Sequence, residues 1–404
     1  MSLKVDPTLM KELKHYGLKD ASKCFHCGNC TAVCPLSKEG QPFPRKLVKY
    51  AQMGLREKLV HSPEPWLCYY CGDCSDRCPR GAEPGETMMA LRRWLTAQYD
   101  FTGFARRFYT SEAFEIGAIS LVALLILVAF LVFTHIPEGP GVKLNTFAPN
   151  WIIEILDWLM AIALSAVLLT NVFRCACFVM TDRKIIQFGP LRLFEIPLKY
   201  YIQKVIEGVW NMISQWPFKD CTDRVQWVIH LLIFTGYSSV FLMVVVGLRV
   251  FQREAIIYTD PAHWRYPLTI IMTIVGYYAT AAILAATTYA LIGRLRKSKP
   301  LYKNSHPTDW VFLVLLQLTT LTGILVHATI FLGWPVPTYV IYVIHLMVAI
   351  PMLVLEVPFA KWAHLAYRPT VLYLMKVKEL YERETVPALA PKPAPVEEPA
   401  EAAA

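Results

Sequence analysis

Eight of the eleven cysteines fall between Cys24 and Cys78, in two runs of identical spacing. The first is Cys24-x2-Cys27-x2-Cys30-x3-Cys34-Pro35 and the second Cys68-x2-Cys71-x2-Cys74-x3-Cys78-Pro79. A cubane iron–sulfur cluster needs four thiolates converging from different directions. A tight C-x2-C-x2-C turn supplies three, and the fourth cysteine, before proline, reaches the other cluster. The spacing therefore predicts two 4Fe-4S clusters with crossed ligand sets: Cys24, Cys27, Cys30 and Cys78 for one, Cys68, Cys71, Cys74 and Cys34 for the other. Two zinc sites are the competing assignment, but these would show paired C-x2-C knuckles and no fourth cysteine before proline. Cys175, Cys177 and Cys221 lack ligand spacing and read as structural thiols.

Histidines supply the second set of candidates. Polar side chains at membrane depth are costly, so an intramembrane histidine is a functional hypothesis, set against the alternative of a hydrogen-bonded helix contact. Four histidines, His230, His327, His345 and His364, sit in or at the ends of long apolar segments. His230 and His364 lie at one edge, whereas His327 and His345 lie at matching depth in the opposite half. Two pairs at two depths are what two bis-histidine b haems stacked across a bilayer need. His15, His26, His61, His135, His263 and His306 lie outside the apolar segments.

The elements that must position these groups are mostly membrane helices. The chain is 55% hydrophobic, too apolar for a soluble protein of 404 residues. Residues 1–112 are mixed and polar, with helix-like stretches at 44–60 and 86–98. Six apolar segments follow at 113–134, 151–178, 226–250, 268–292, 310–332 and 339–359. Each reaches the ~20 residues that span a bilayer. The net charge of +9 resides largely in short basic runs beside these segments, such as Arg294, Arg296, Lys297 and Lys299. That pattern orients membrane helices and argues against a nucleic-acid partner. The loops after the second and fourth segments are basic and read as cytoplasmic, which places both termini there. Arg249, Arg253 and Arg265, after the third segment, run against the rule. The polar N-terminus shows no charged-then-apolar leader, so the clustered cysteines are expected reduced, in the cytoplasm.

The expected fold is therefore all-α: a helical two-cluster domain over 1–112, a six-helix transmembrane haem domain over 113–367, and a cytoplasmic tail over 368–404 that is disordered toward its end. Residues 191–216, with Tyr200, Tyr201, Trp210 and Trp216 among lysines, read either as a helix on the inner membrane surface or as an ordinary packed loop helix. A quinone would need an apolar slot with polar groups at its carbonyls. Lys361, Arg224, Asp223 and Trp227 are candidates near the inner face, although interfacial anchoring accounts for them equally well.

Resemblances sharpen these expectations. With apolar positions at helical spacing between its cysteine runs, the N-terminal segment resembles the helical ferredoxin domain of fumarate and heterodisulfide reductases. The last apolar segment, from His345 through Pro351, Glu356 and Pro358 to Lys361 and His364, resembles the final helix of the nitrate reductase gamma family, whose two histidines ligate haem. Trp227 to Tyr237, around His230, resembles that family's first ligand helix. The second histidine of that helix would fall near Val240, which cannot ligate, and His327 is the substitute. The combination resembles the C-type subunit of quinone-interacting membrane-bound oxidoreductase complexes. That resemblance implies an inner-membrane oxidoreductase subunit with two 4Fe-4S clusters, two b haems and menaquinone. It also implies soluble flavin and iron–sulfur partner subunits of A and B type, and electron delivery toward adenylylsulfate reductase in sulfate reduction. The Cys-Cys-Gly motifs of heterodisulfide reductase catalytic subunits are missing, so terminal chemistry is left to partners. Reverse flow, reducing quinone from a thiol- or sulfur-oxidising partner, is the main alternative. A non-redox membrane anchor would explain the spans but not the cysteines.

Overall fold

A computed structural model describes residues 4–37, 42–180, 192–221, 223–245 and 266–385. Among the described residues there is no β-strand, and six helices are long and apolar enough to cross a membrane. The chain is thus built as a multi-pass membrane protein. The tail beyond residue 385 and the arginines at 249, 253 and 265 lie outside the described residues.

The N-terminal segment consists of short helices around the cysteine turns, closed by one long helix, Pro84–Tyr99. The helical stretch expected at 44–60 is two helices, Arg45–Gln52 and Arg56–Val60, parted at Gly54. Gly54 has φ of 66°, and a Cβ there would meet the Asp6 carbonyl oxygen at 2.2 Å, so only glycine permits this turn. The Pro84–Tyr99 helix begins on Pro84, whose fixed φ suits a first helical turn. It is buried on nearly every face. Its Leu91, Trp94 and Tyr99 pack with Leu9, Leu47 and Trp66, but also with Cys175 and Val179 of the second span and Tyr367 and Val371 near the C-terminus. Side chains of this size contribute roughly 1.5–3 kcal/mol each on burial. The core holding the cysteine segment is therefore shared with the membrane helices.

The spans are the helices Glu112–Phe133, Asn150–Met180, Arg224–Val245, Tyr266–Arg296, Pro307–Phe331 and Pro335–Pro351 with its continuation to Phe359. The third, fourth, fifth, sixth and first pack as successive neighbours, while the second leans on Pro84–Tyr99 and the C-terminal helix His364–Thr385. Exposed Leu131, Phe133, Ile162 and Leu169 give the bundle an apolar outer surface suited to lipid. The sixth span is not one regular helix. After Pro351 it opens into a π turn, Met352–Glu356, resumes over Val357–Phe359, and breaks at Ala360. Pro358 offers no N–H to the preceding turn, and the widened π turn accommodates that loss. A short 3₁₀ turn, Lys361–Ala363, then redirects the chain into the helix that begins at His364.

The helix Leu198–Ser214 lies in the segment expected to rest on the membrane surface. One face packs on the C-terminal helix, where Tyr373 donates to the Tyr201 carbonyl (2.8 Å) and Lys376 pairs with Glu207. The other face exposes Ile202, Ile206, Trp210 and Ile213.

Candidate electron-transfer centres

The two cysteine runs fold alike because the same positions take left-handed backbone. His26 and Tyr70 have φ of 62° and 55°, and Gly28 and Gly72 have φ of 95° and 94°. Each glycine opens a one-turn helix, Asn29–Ala32 or Asp73–Asp76, and these two helices touch. The fold brings Cys34 to Cys68, Cys71 and Cys74, which together line one cavity. Cys24, Cys27 and Cys78 gather around Cys30 instead. Among the described residues no three donors converge on a point as a single metal ion needs; the sulfurs surround a space. Cys68 accepts a backbone hydrogen bond from the Tyr70 N–H and Cys78 one from the Ala82 N–H, both at 3.3 Å. Burial raises the Cys34 thiol to about 12 and the Cys68 thiol to about 11, so both are protonated when free. Iron binding would have to displace those protons.

Cys221, which carries no ligand spacing, also lines this cavity. It donates to the Cys71 sulfur, and that bond lowers Cys71 below its ordinary thiol value while raising Cys221. On the far side of the second cysteine run, Tyr70 hydrogen-bonds to Glu86 and to the Leu301 carbonyl. Burial pushes the Glu86 carboxyl up to about 8.

His230 and His364 are brought together, their ring centres 6.3 Å apart and their planes at 64°. Two imidazoles on opposite sides of one iron, each bonded at about 2.0 Å, place their ring centres roughly 6 Å apart. Both Nδ1 atoms are already committed. The His230 Nδ1 lies 2.6 Å from the Gln215 Oε1, and the His364 Nδ1 lies 2.5 Å from the Lys361 carbonyl. Oxygens of this kind accept, so each Nδ1 carries the proton and each Nε2 keeps a lone pair for a metal. Gln215 reaches His230 from a left-handed residue, φ 49°, that caps the Leu198–Ser214 helix. The pair therefore fits a bis-histidine haem in spacing and in tautomer.

The cysteine cavity and the histidine pair are joined by rings. Tyr69, next to Cys68, stacks on Phe218 at 4.9 Å, and Phe218 meets His230 edge-on at 6.0 Å. From the other histidine, one helical turn leads to Arg368, which donates to the Cys68 carbonyl (3.1 Å) and covers the Tyr69 ring at 4.0 Å. Arg92, in the Pro84–Tyr99 helix, donates to the same carbonyl.

The other expected pair is not assembled. His345 holds Thr322 through Nδ1 (3.0 Å) and packs over Gly323, whereas the His327 Nε2 is engaged by the Tyr277 hydroxyl at 3.0 Å. Among the described residues no hydrogen bond or ring contact joins His327 to His345. Three of the four quinone candidates already have protein partners: Lys361 pairs with Asp309 (2.5 Å), Asp223 with Lys299, and the Trp227 indole donates to the Ser214 carbonyl (3.1 Å).

Comparison with known proteins bears on the N-terminal segment. Residues 20–82 match the 4Fe-4S dicluster domain family Fer4_8. A protein of Archaeoglobus profundus that is itself like the C-type subunit of heterodisulfide reductase is 38% identical over 88 residues, 22% of this chain and 47% of that protein. The C-type subunit of the H(2):CoB-CoM heterodisulfide,ferredoxin reductase of Methanothermobacter marburgensis is 32% identical over 63 residues, 16% of this chain and 34% of that protein. The chain thus spans between a third and a half of the length of these curated relatives. No solved structure matches it. These findings make residues 20–82 a two-cluster iron–sulfur redox domain similar to the C-type subunits of heterodisulfide reductases, carried here on six membrane-crossing helices.

Proposed function

We propose that this chain is the membrane subunit of a respiratory oxidoreductase complex, oxidising menaquinol and passing electrons through b haem and two 4Fe-4S clusters to soluble partners. The observation that carries this reading is the ring path from Cys68 through Tyr69 and Phe218 to the paired His230 and His364. An anchor has no use for such a path. Cys34, Cys68, Cys71 and Cys74 would hold the cluster nearer the membrane helices, and Cys24, Cys27, Cys30 and Cys78 the one farther along. When bound, these groups supply one-electron transfer between a two-electron quinol and two-electron soluble partners.

The protein's own residues do the rest. Gln215 and the Lys361 carbonyl fix the imidazole tautomers, Tyr69 and Phe218 fill the gap between the centres, and Arg368 and Arg92 hold the Cys68 backbone in place. Flavin and iron–sulfur subunits would dock on the exposed side of the cysteine domain, and adenylylsulfate reductase is the proposed destination. Reverse flow, quinone reduction with electrons from a thiol- or sulfur-oxidising partner, is the second reading, suggested by the heterodisulfide in the names of the relatives.

The test is spectroscopic. Protein purified from anaerobic, haem-replete cells should show a b-type absorbance band on reduction and about eight cluster irons per chain. His230→Ala and His364→Ala should each remove one and the same haem. A second, outer haem requires His327 to leave Tyr277 for His345, and His327→Ala decides whether it exists. A colourless preparation would sink the reading.

A further inference from the structure

Two carboxylates outside the centres described so far face each other where the membrane bundle meets the cysteine domain. Glu115 is in the first span and Glu356 closes the π turn of the sixth; their relative exposures are 1% and 0%. They contact one another side chain to side chain. No other side chain hydrogen-bonds to their four oxygens among the described residues, and the Lys361 backbone N–H approaches Glu356. Two buried carboxyl groups in contact cannot both carry charge, so the pair holds at least one proton, and the Lys361 N–H offers a donor to a single remaining carboxylate.

The surroundings are lopsided. Within the bundle, an apolar cluster includes Met352, one helical turn before Glu356, Ile119, one helical turn beyond Glu115, and Leu315. Toward the cysteine domain the neighbours are Glu112, Tyr109, Asp309 and the Lys361 backbone N–H. Asp309 pairs with Arg93 and Lys361, and Glu86 feels all three and holds Tyr70. Polar groups therefore lead from the pair toward the cysteine domain. Along the chain, the short Val357–Phe359 helix, Ala360 and the Lys361–Ala363 turn connect Glu356 to His364.

We propose that Glu115 and Glu356 share one proton, and that the pair takes up a second from the cysteine-domain side when an electron arrives at the His230–His364 site. The inference rests on the function proposed above. The electron comes from quinol, the proton from water, and the pair passes from carboxyl–carboxylate to two neutral carboxyls. Departure of the electron returns the proton. A negative charge arriving nearby in a poorly polarisable interior favours this neutralisation. The π turn places Glu356 off the regular helical register, which is how such insertions commonly present a functional side chain.

Redox-induced infrared difference spectra of the full chain should contain a carboxyl C=O band that shifts in D2O, and the haem midpoint potential should fall as pH rises. Glu356→Gln and Glu115→Gln should each abolish the band and flatten the pH dependence, with haem content and cluster signals retained; Glu115→Asp should restore both. A band that survives in both glutamine variants, or a pH dependence unchanged by Glu356→Gln, would overturn the proposal. If one variant fails to fold, the other carries the test. Absence of haem would defeat the functional reading and the redox coupling together. A pH-difference infrared band lost on glutamine substitution would still establish the shared proton, and no such band would end it.

Discussion

Gln215 commits the His230 Nδ1 through a single hydrogen bond, and removing that acceptor isolates its effect. Gln215→Leu should keep the haem bound more weakly, roughly 10–100-fold by analogy with other outer-shell ligands, and shift its potential. Haem titration of the detergent-purified variant measures both, and unaltered binding and potential would remove Gln215 from the site. Cys34→Ser should perturb the same paramagnetic signal as Cys71→Ser, because both sulfurs line one cavity; loss of the other signal would refute the crossed sets. Cys221→Ala should move the potential of that signal alone, and Cys221→Ser should largely restore it, since a hydroxyl still donates to Cys71. The crossed grouping was legible in the sequence because three ligands of each run are fixed by local turns and only one travels. Cys221 and Gln215 were not, because each acts on a partner distant along the chain and no spacing rule marks it.

At the scale of elements, apolar run length revealed all six spans to within a few residues, and matched depth singled out His230 with His364. Depth was blind to azimuth. His345 lies against Thr322 and Gly323, about one helical turn before His327 on the fifth span, and His327 meets Tyr277 on the fourth span instead. The π turn, too, depends on how Pro358 and the first span are accommodated, which no hydropathy pattern records. Where the Pro84–Tyr99 helix meets the Leu301 segment, the buried Glu86 sets a pH dependence. Burial pushes its folded carboxyl up to about 8, far above the unfolded value, so the folded state holds the proton more tightly. The resulting stabilisation is complete below the unfolded value of 4.5 and is lost as pH rises through about 8. Glu86→Gln keeps a neutral group there. Wild type should lose thermal stability relative to this variant between about pH 5 and pH 8, and parallel melting curves across that range would contradict the assignment.

For the whole molecule, the expected cut between a soluble domain and a membrane domain is legible in composition but not in packing. The core around Trp66, Trp94 and Tyr99 includes residues from the second span and the C-terminal helix. Across the same junction Arg93 pairs with Asp309 at 3.1 Å, with side chains 3% and 5% exposed, and Lys361 shares that carboxylate. Asp309→Asn leaves the buried Arg93 and the partly exposed Lys361 without their shared counter-charge and should destabilise the junction by about 3–5 kcal/mol, mostly through Arg93. Limited proteolysis should then release the cysteine domain faster; unchanged protection would show that apolar packing alone holds it. The Arg93–Asp309 bond also orders events in the life of the chain, because it joins residues 216 apart. The cysteine segment leaves the ribosome first, yet its arginine meets a counter-charge only when the fifth span has been made, and its apolar core closes only with the C-terminal helix. Cluster loading is therefore expected to be completed after membrane insertion, with chains truncated before residue 309 held by chaperones or degraded rather than accumulating as free ferredoxin.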